Sequence, residues 1–298
     1  MNNKTWSGWF FLDKPIGITS NFALQKIKRI FNNSKAGFVG TLDPLASGFL
    51  PVAFGKATKI IPFIEQCDKK YLFTVRWGIK TETGDSEGKV IKESEIYPNK
   101  IDILKALKKF SGNIEQIPHK YSSVKINGQR AHKLARKNVK FQLKKRQIKI
   151  NNFKLTNNIS DKLASFIIDC SAGTYVRSLA ENLAESLGTI GTIVELRRIG
   201  FNNFNKKLIS LDYLLSLVHS DELKRLVHPI DVVMNDVSKV ELDDNQVKRV
   251  VSGSFVLMNK HLVKTKNNRL VFAKHEDKYI ALGLIKDCIF HPKKLLTS

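Results

Sequence analysis

Residues 165 to 188, "SFIIDCSAGTYVRSLAENLAESLG", constrain the fold more than any other stretch. Six strand-forming residues lead through a tight link at Ala172-Gly173 into a helix whose Leu179, Leu183 and Leu187 recur at helical spacing, and Gly188 stops it as a C-cap glycine would. Elsewhere strands and helices follow in irregular order. "YLFTVRWG" (71 to 78) alternates, placing Tyr71, Phe73, Val75 and Trp77 on one face of a strand, and "TETGDSEGK" after it reads as an acidic, glycine-marked turn. "ALQKIKRIF" (23 to 31) puts Ala23, Ile27, Ile30 and Phe31 at helical spacing behind Ser20 and Asn21 as candidate caps. "IDILKALKKF" (101 to 110) is another amphipathic helix, ended at Ser111-Gly112. There is no βαβ rhythm and no phosphate-binding glycine fingerprint. This predicts an α+β domain on a mixed sheet, not a doubly wound one.

After "HPIDVVMNDVSK" the texture changes to short β-prone runs, "SFVLM", "HLVKT", "RLVFA" and "YIALGLI", separated by turn formers such as Asn267-Asn268. A chain of 298 residues is expected to form one large domain with a small companion. The boundary falls here, giving a main domain over 1–235 and a β-rich module over 236–298.

Charge narrows the partner. Fifty Lys and Arg against 27 Asp and Glu leave a net charge of +23, a field that draws in polyanions, with nucleic acid the commonest. A membrane surface would require a basic amphipathic helix with exposed bulky apolar residues, and a span about 18 apolar residues; neither is evident. "WSGWFFLDKP" meets Asp13 too early for a signal peptide, so the chain is expected to be cytoplasmic. Cys67, Cys170 and Cys288 lie far apart and read as reduced, mostly buried thiols. The His are equally dispersed, and no metal site is expected. Between Glu115 and Asp161 there is no acidic residue, while Lys and Arg run from Lys120 to Lys154 with Tyr121, His132 and Phe141 among them. Such a cluster suits phosphate contacts with base stacking, although the aromatics alone would also suit a core.

"GFVGTLDPLASGFLP" (37 to 51) holds a lone carboxylate, Asp43, in a run of glycine, small and apolar residues. It could be a turn former, an N-cap, or the partner of a distant arginine. A larger set of segments adds a further reading. "LDKPIGITSN", "KAGFVGTLDPLASGFLPVAFGKATK", "DKKYLFTVRWGIKTETGDSEG", "IEQIPHKYSSVKINGQRAHKLAR", "CSAGTYVRSLAENLAESLG" and "ELRRIGF" resemble, in order and spacing, the TruB family of tRNA pseudouridine synthases over residues 8 to 201. The final sixty or so residues resemble, more weakly, the family's PUA-type RNA-binding module.

The resemblance implies a pseudouridine synthase fold: a mixed, mainly antiparallel central sheet flanked by helices, with a small C-terminal PUA-like domain. It implies isomerisation of uridine 55 in the T loop of tRNA to pseudouridine, with no cofactor, no metal and no obligatory protein partner. Asp43 is then the catalytic aspartate. A single acid in a dry, glycine-lined pocket fits such chemistry, and a carboxylate taken out of water keeps its charge only with a cation nearby. The family pattern supplies Arg177 for that pairing, which would otherwise read as a helix-start or surface arginine. Tyr71 matches the residue that stacks on the flipped uracil and helps to move its C5 proton. Tyr175 and Leu196 match further uracil-pocket positions, and Lys14 with Pro15 matches a pair that supports the active-site loop or contacts RNA. Phe38 stands where the family usually has a histidine, keeping a flat face for stacking without the ring nitrogen.

The basic segment, about 118–150, lies where the family has an RNA-gripping insertion. It is expected to become ordered on binding the T arm, with Lys144, Lys145 and Arg146 contacting phosphate. Two other readings remain at this point: a binding protein that lost the chemistry, and a synthase acting on another RNA.

Overall fold

The computed structural model describes residues 6–202, 204, 207–217, 222–258 and 269–297, without the side chains of 157–159. Its centre is a nine-stranded mixed sheet. In spatial order the strands are Ile209–Ser210, Gly8–Lys14, Ala46–Phe54, Gly191–Phe201, Lys69–Trp77, Leu163–Cys170, Arg146–Ser160 and Gly112–Gln116, with Ala36–Phe38 added beside Ala46–Phe54. Two pairings are parallel, Gly8–Lys14 with Ile209–Ser210 and Ala46–Phe54 with Gly191–Phe201, and the others are antiparallel.

Both faces of this sheet are covered, as the strand at Gly8–Lys14 already implies. Its alternate residues Phe10 and Leu12 enter one core, with the helices Ser20–Ile30 and Val176–Ser186, while Trp9 and Phe11 enter another. That second core is completed by Phe272 and Leu282 of a separate five-stranded sheet, which runs from Ser238 to Leu295, and by Leu296 just after it. Each fully buried side chain of this size contributes about 1.5–3 kcal/mol, so the shared seam ties the β-rich module to the back of the main sheet.

The elements follow the sequence patterns closely. The strand Lys69–Trp77 buries Phe73, Val75 and Trp77, and the helix Val176–Ser186 buries Leu179 and Leu183 before Gly188 turns the chain at φ 73°. Gly48 is required by the parallel pairing. At φ +95° its added Cβ would lie 2.3 Å from the carbonyl oxygen of Arg198.

Two expectations change, the cap of the first helix and the burial of the thiols. Thr19, not Ser20 or Asn21, caps the first helix, accepting from the Phe22 N–H at 3.1 Å, because the Ser20 hydroxyl is buried and occupied elsewhere. Within the basic segment, Arg146–Ser160 pairs on both sides, Lys125–Ile126 and Gln129–Arg130 form a hairpin, and Ala131–Arg136 is a helix anchored by buried Ala131 and Ala135. Cys170 is buried, but Cys67 and Cys288 are only half-buried. The helix Asp244–Val251, opened by a capping box of Asp243 and Gln246, interrupts the β-rich module. The run "HLVKT" lies outside the described residues.

Candidate active site

The loop carrying Asp43 is fastened from behind. Ser20, 1% exposed, donates from its hydroxyl to the Leu42 carbonyl at 3.0 Å and accepts from the Leu42 N–H at 2.8 Å. The Gly17 N–H donates to the Pro44 carbonyl at 2.8 Å, and the Ala46 N–H to that of Asp43 at 3.1 Å. Lys14 is completely buried beneath the loop, where its ammonium donates to the carbonyls of Pro15 at 2.8 Å and Ile18 at 2.6 Å. In this position its ammonium is spent on the support of the loop.

Arg177 reaches the loop from the first turn of the helix Val176–Ser186. Its Nη2 lies 2.8 Å from Asp43 Oδ2 and donates to the Tyr121 carbonyl at 3.0 Å; its Nη1 donates to the Thr83 carbonyl at 2.9 Å and to Asp85 Oδ2 at 3.2 Å. The guanidinium is thus held at four acceptors and presents one edge to Asp43. Asp85 comes from the acidic turn and is almost wholly buried; its other oxygen accepts from the Thr83 hydroxyl at 2.5 Å and the Glu87 N–H at 3.2 Å. Pattern reading missed it because a turn between strands ordinarily places acids in water. Only the shared arginine accounts for a carboxylate buried there.

The cleft above Asp43 encloses about 480 Å³ and is lined by Asp43, Tyr71, Tyr175, Arg177 and Leu196, with Arg146 from the start of the strand Arg146–Ser160. Tyr175 is positioned by Gln116, whose amide donates to the Tyr175 carbonyl at 3.1 Å and accepts from its N–H at 2.8 Å. Leu196 sits between Ala46 and Phe73 on neighbouring strands. Asp43 is 40% exposed, so the pocket is not dry by itself and water must be displaced by whatever enters.

Beneath Tyr71 lies Arg198, its cross-strand partner, 1% exposed. Arg198 donates to the carbonyls of Phe49 at 2.6 Å, Gly40 at 3.0 Å and Val39 at 3.3 Å, and bonds the Tyr71 hydroxyl. Burial pushes the Tyr71 phenol above its ordinary value, although the Arg198 charge opposes the shift. Burial also lowers Lys69 and Lys14, each to about 8. Arg198 was not singled out in the sequence. The strand alternation puts Arg197 and Arg198 on opposite faces, and Arg197 instead forms a bidentate pair with Asp13 at 2.9 and 2.7 Å.

The remaining candidates divide. Phe38 is half-buried and packs against the main core, outside the residues that line this cleft. Lys144 is exposed, Lys145 is paired with Glu115 at 3.2 Å, and Arg146 faces the cleft. Of the interleaved aromatics, Tyr121 binds Glu82 through its hydroxyl and His132 bonds the Ser122 carbonyl at 3.0 Å, so both are tied into the protein.

Residues 28–176 match the family model described as TruB family pseudouridylate synthase (N terminal domain), and residues 177–235 match the tRNA pseudouridylate synthase B C-terminal domain. The chain is 36% identical over 283 residues to the tRNA pseudouridine synthase B of Caulobacter vibrioides, covering 93% of this chain and 91% of that protein. To the protein of the same name in Clostridium kluyveri it is 37% identical over 286 residues, covering 95% and 97%. The archaeal box H/ACA sRNP Nop10–Cbf5 complex shares the fold, with a TM-score of 0.72 at 23% identity over 98% of this chain and 86% of that one. An aspartate-arginine pair at the floor of a cleft, on a sheet of this order and with relatives matched along nearly the whole chain, leads to one assignment: the chain belongs to the TruB family of tRNA pseudouridine synthases.

Proposed function

We propose that the chain isomerises uridine 55 in the T loop of tRNA to pseudouridine, with Asp43 as the catalytic carboxylate. The observation that carries the reading is the 2.8 Å pair of Asp43 with a guanidinium fixed at three further acceptors, at the floor of a cleft of nucleotide size. The uridine is flipped out of the folded loop, at a cost of a few kcal/mol that stacking and pocket contacts offset. Asp43 acts at the ribose, where the N1–C1′ bond breaks with its electron pair left on N1; the freed uracil turns until C5 bonds C1′, and C5 loses its proton while N1 gains one, so the product is an isomer of the substrate. Tyr71, whose phenol burial raises above its ordinary value, stacks on the flipped uracil and helps to move its C5 proton. Tyr175 and Leu196 close the sides of the base pocket. Lys144 and Arg146 hold the RNA backbone, Lys145 more weakly, and the module over 236–298 is a PUA-like second RNA contact to the main domain over 1–235. The enzyme works without a cofactor, in the cytoplasm; no helix among the described residues is long and apolar enough to cross a membrane.

The test incubates the parent chain and Asp43→Asn with an unmodified T-arm stem-loop, followed by chemical labelling of pseudouridine and mass measurement. Product from the parent alone, with RNA binding kept in both, is expected. Equal product from the variant would overturn the role of Asp43, and product from neither would favour a binding protein.

A further inference from the structure

We propose that His119, braced by Glu181, is a positioning residue for this reaction: it fixes the two backbone segments that hold Arg177 against Asp43. The role rests on the synthase reading given above. His119 is 6% exposed, and its Nδ1 accepts from the Tyr121 N–H at 3.2 Å. With Nδ1 accepting, the neutral ring carries its proton on Nε2, which lies 3.7 Å from Glu181 Oε2. Burial pushes the Glu181 carboxyl up, yet His119, Lys80 and Arg177 outweigh it and hold the group below its usual value. The imidazole also lies at 27° to the Tyr121 ring, with centroids 6.0 Å apart.

The same pair supports the acidic turn. A Cβ added to Gly84 would stand 3.0 Å from His119 Nε2 and 3.4 Å from Glu181 Oε1, so the turn rests directly on both side chains. Gly84 is flanked by Thr83 and Asp85, which accept from Arg177 Nη1, and Tyr121 accepts from Nη2. All three acceptors that aim the guanidinium at Asp43 therefore sit on segments resting on one imidazole. Glu181 is one helical turn beyond Arg177, so the brace and the cation share a rigid element. The wall has a separate tie, from the Tyr121 hydroxyl to Glu82, and does not depend on His119 alone to remain folded.

The test compares His119→Leu, His119→Asn and His119→Gln. The Asn amide oxygen falls near the place of Nδ1 and can accept from the Tyr121 N–H; Gln carries its amide farther out and cannot. Single-turnover rate at saturating T-arm stem-loop, RNA dissociation constant and melting temperature are measured for each. The expected result is a rate loss of about tenfold or more in Leu and Gln with RNA affinity within twofold of the parent, and partial rescue in Asn, which restores the acceptor for the Tyr121 N–H but not the support beneath Gly84, since small displacements of a catalytic group are costly. Should Leu fail to fold, the Asn and Gln pair carries the comparison. Equal losses in Asn and Gln, parent rates throughout, or a loss confined to RNA affinity would overturn the role while leaving the synthase reading intact. No product from the parent chain would overturn both.

Discussion

Replacing Ser20 by alanine should damage both stability and catalysis, through one hydroxyl. Ser20 satisfies the N–H and the carbonyl of Leu42, the residue before Asp43, from a position that is 1% exposed. Alanine removes both partners and leaves no room for water to replace them. A buried backbone group without a partner costs about 1–3 kcal/mol, so two sum to about 2–6, and relaxation of the loop brings the expected loss to about 2–4 kcal/mol. For a chain of this length that corresponds to a fall in melting temperature of about 4–8 °C. The relaxation itself moves Asp43, and a displacement of about 1 Å can cost about 100-fold in rate. Differential scanning calorimetry and single-turnover formation of pseudouridine measure the two effects. Asn21→Ala is the control, since Asn21 is exposed and makes no cap. A Ser20→Ala chain that melts within 1 °C of the parent and reacts within twofold of it would refute the argument that this hydroxyl holds the loop.

Two further outcomes follow from the charges. Lys144→Ala and Arg146→Ala should each weaken T-arm binding and flatten its dependence on salt by roughly one counterion. Lys145→Ala should do so less, because Glu115 already neutralises Lys145, and equal effects from all three in a salt titration would contradict that ranking. Burial lowers Lys69 to about 8 from an unfolded value of 10.5, so the folded chain sheds this proton first and the burial penalty is relieved as pH rises through that window. Urea unfolding should therefore show the parent gaining stability relative to Lys69→Met between about pH 8 and 10; a constant difference across that range would show that the ammonium is not desolvated as the fold implies.

The sequence by itself determined the elements and most of the chemistry at the cleft. Periodicity located the strand Lys69–Trp77 and the helix Val176–Ser186, because burying one face of an element imposes its period on the residue types. The motifs supplied Asp43, Tyr71, Tyr175 and Arg177, which do converge on one cleft. Only the tertiary structure decided what those groups lean on. Asp85 and Arg177 are 92 positions apart, and Arg198 meets Phe49 across 149. Such contacts depend on which strands lie side by side and in what register, and no local pattern encodes that. The same cause packs Phe38 against the core, turns Ser20 from a helix cap into the anchor of Leu42, and buries Lys14. A side chain's type was legible, but its partner was set by strand order, and in a medium where an unpaired charge or N–H is costly the partner decides the role.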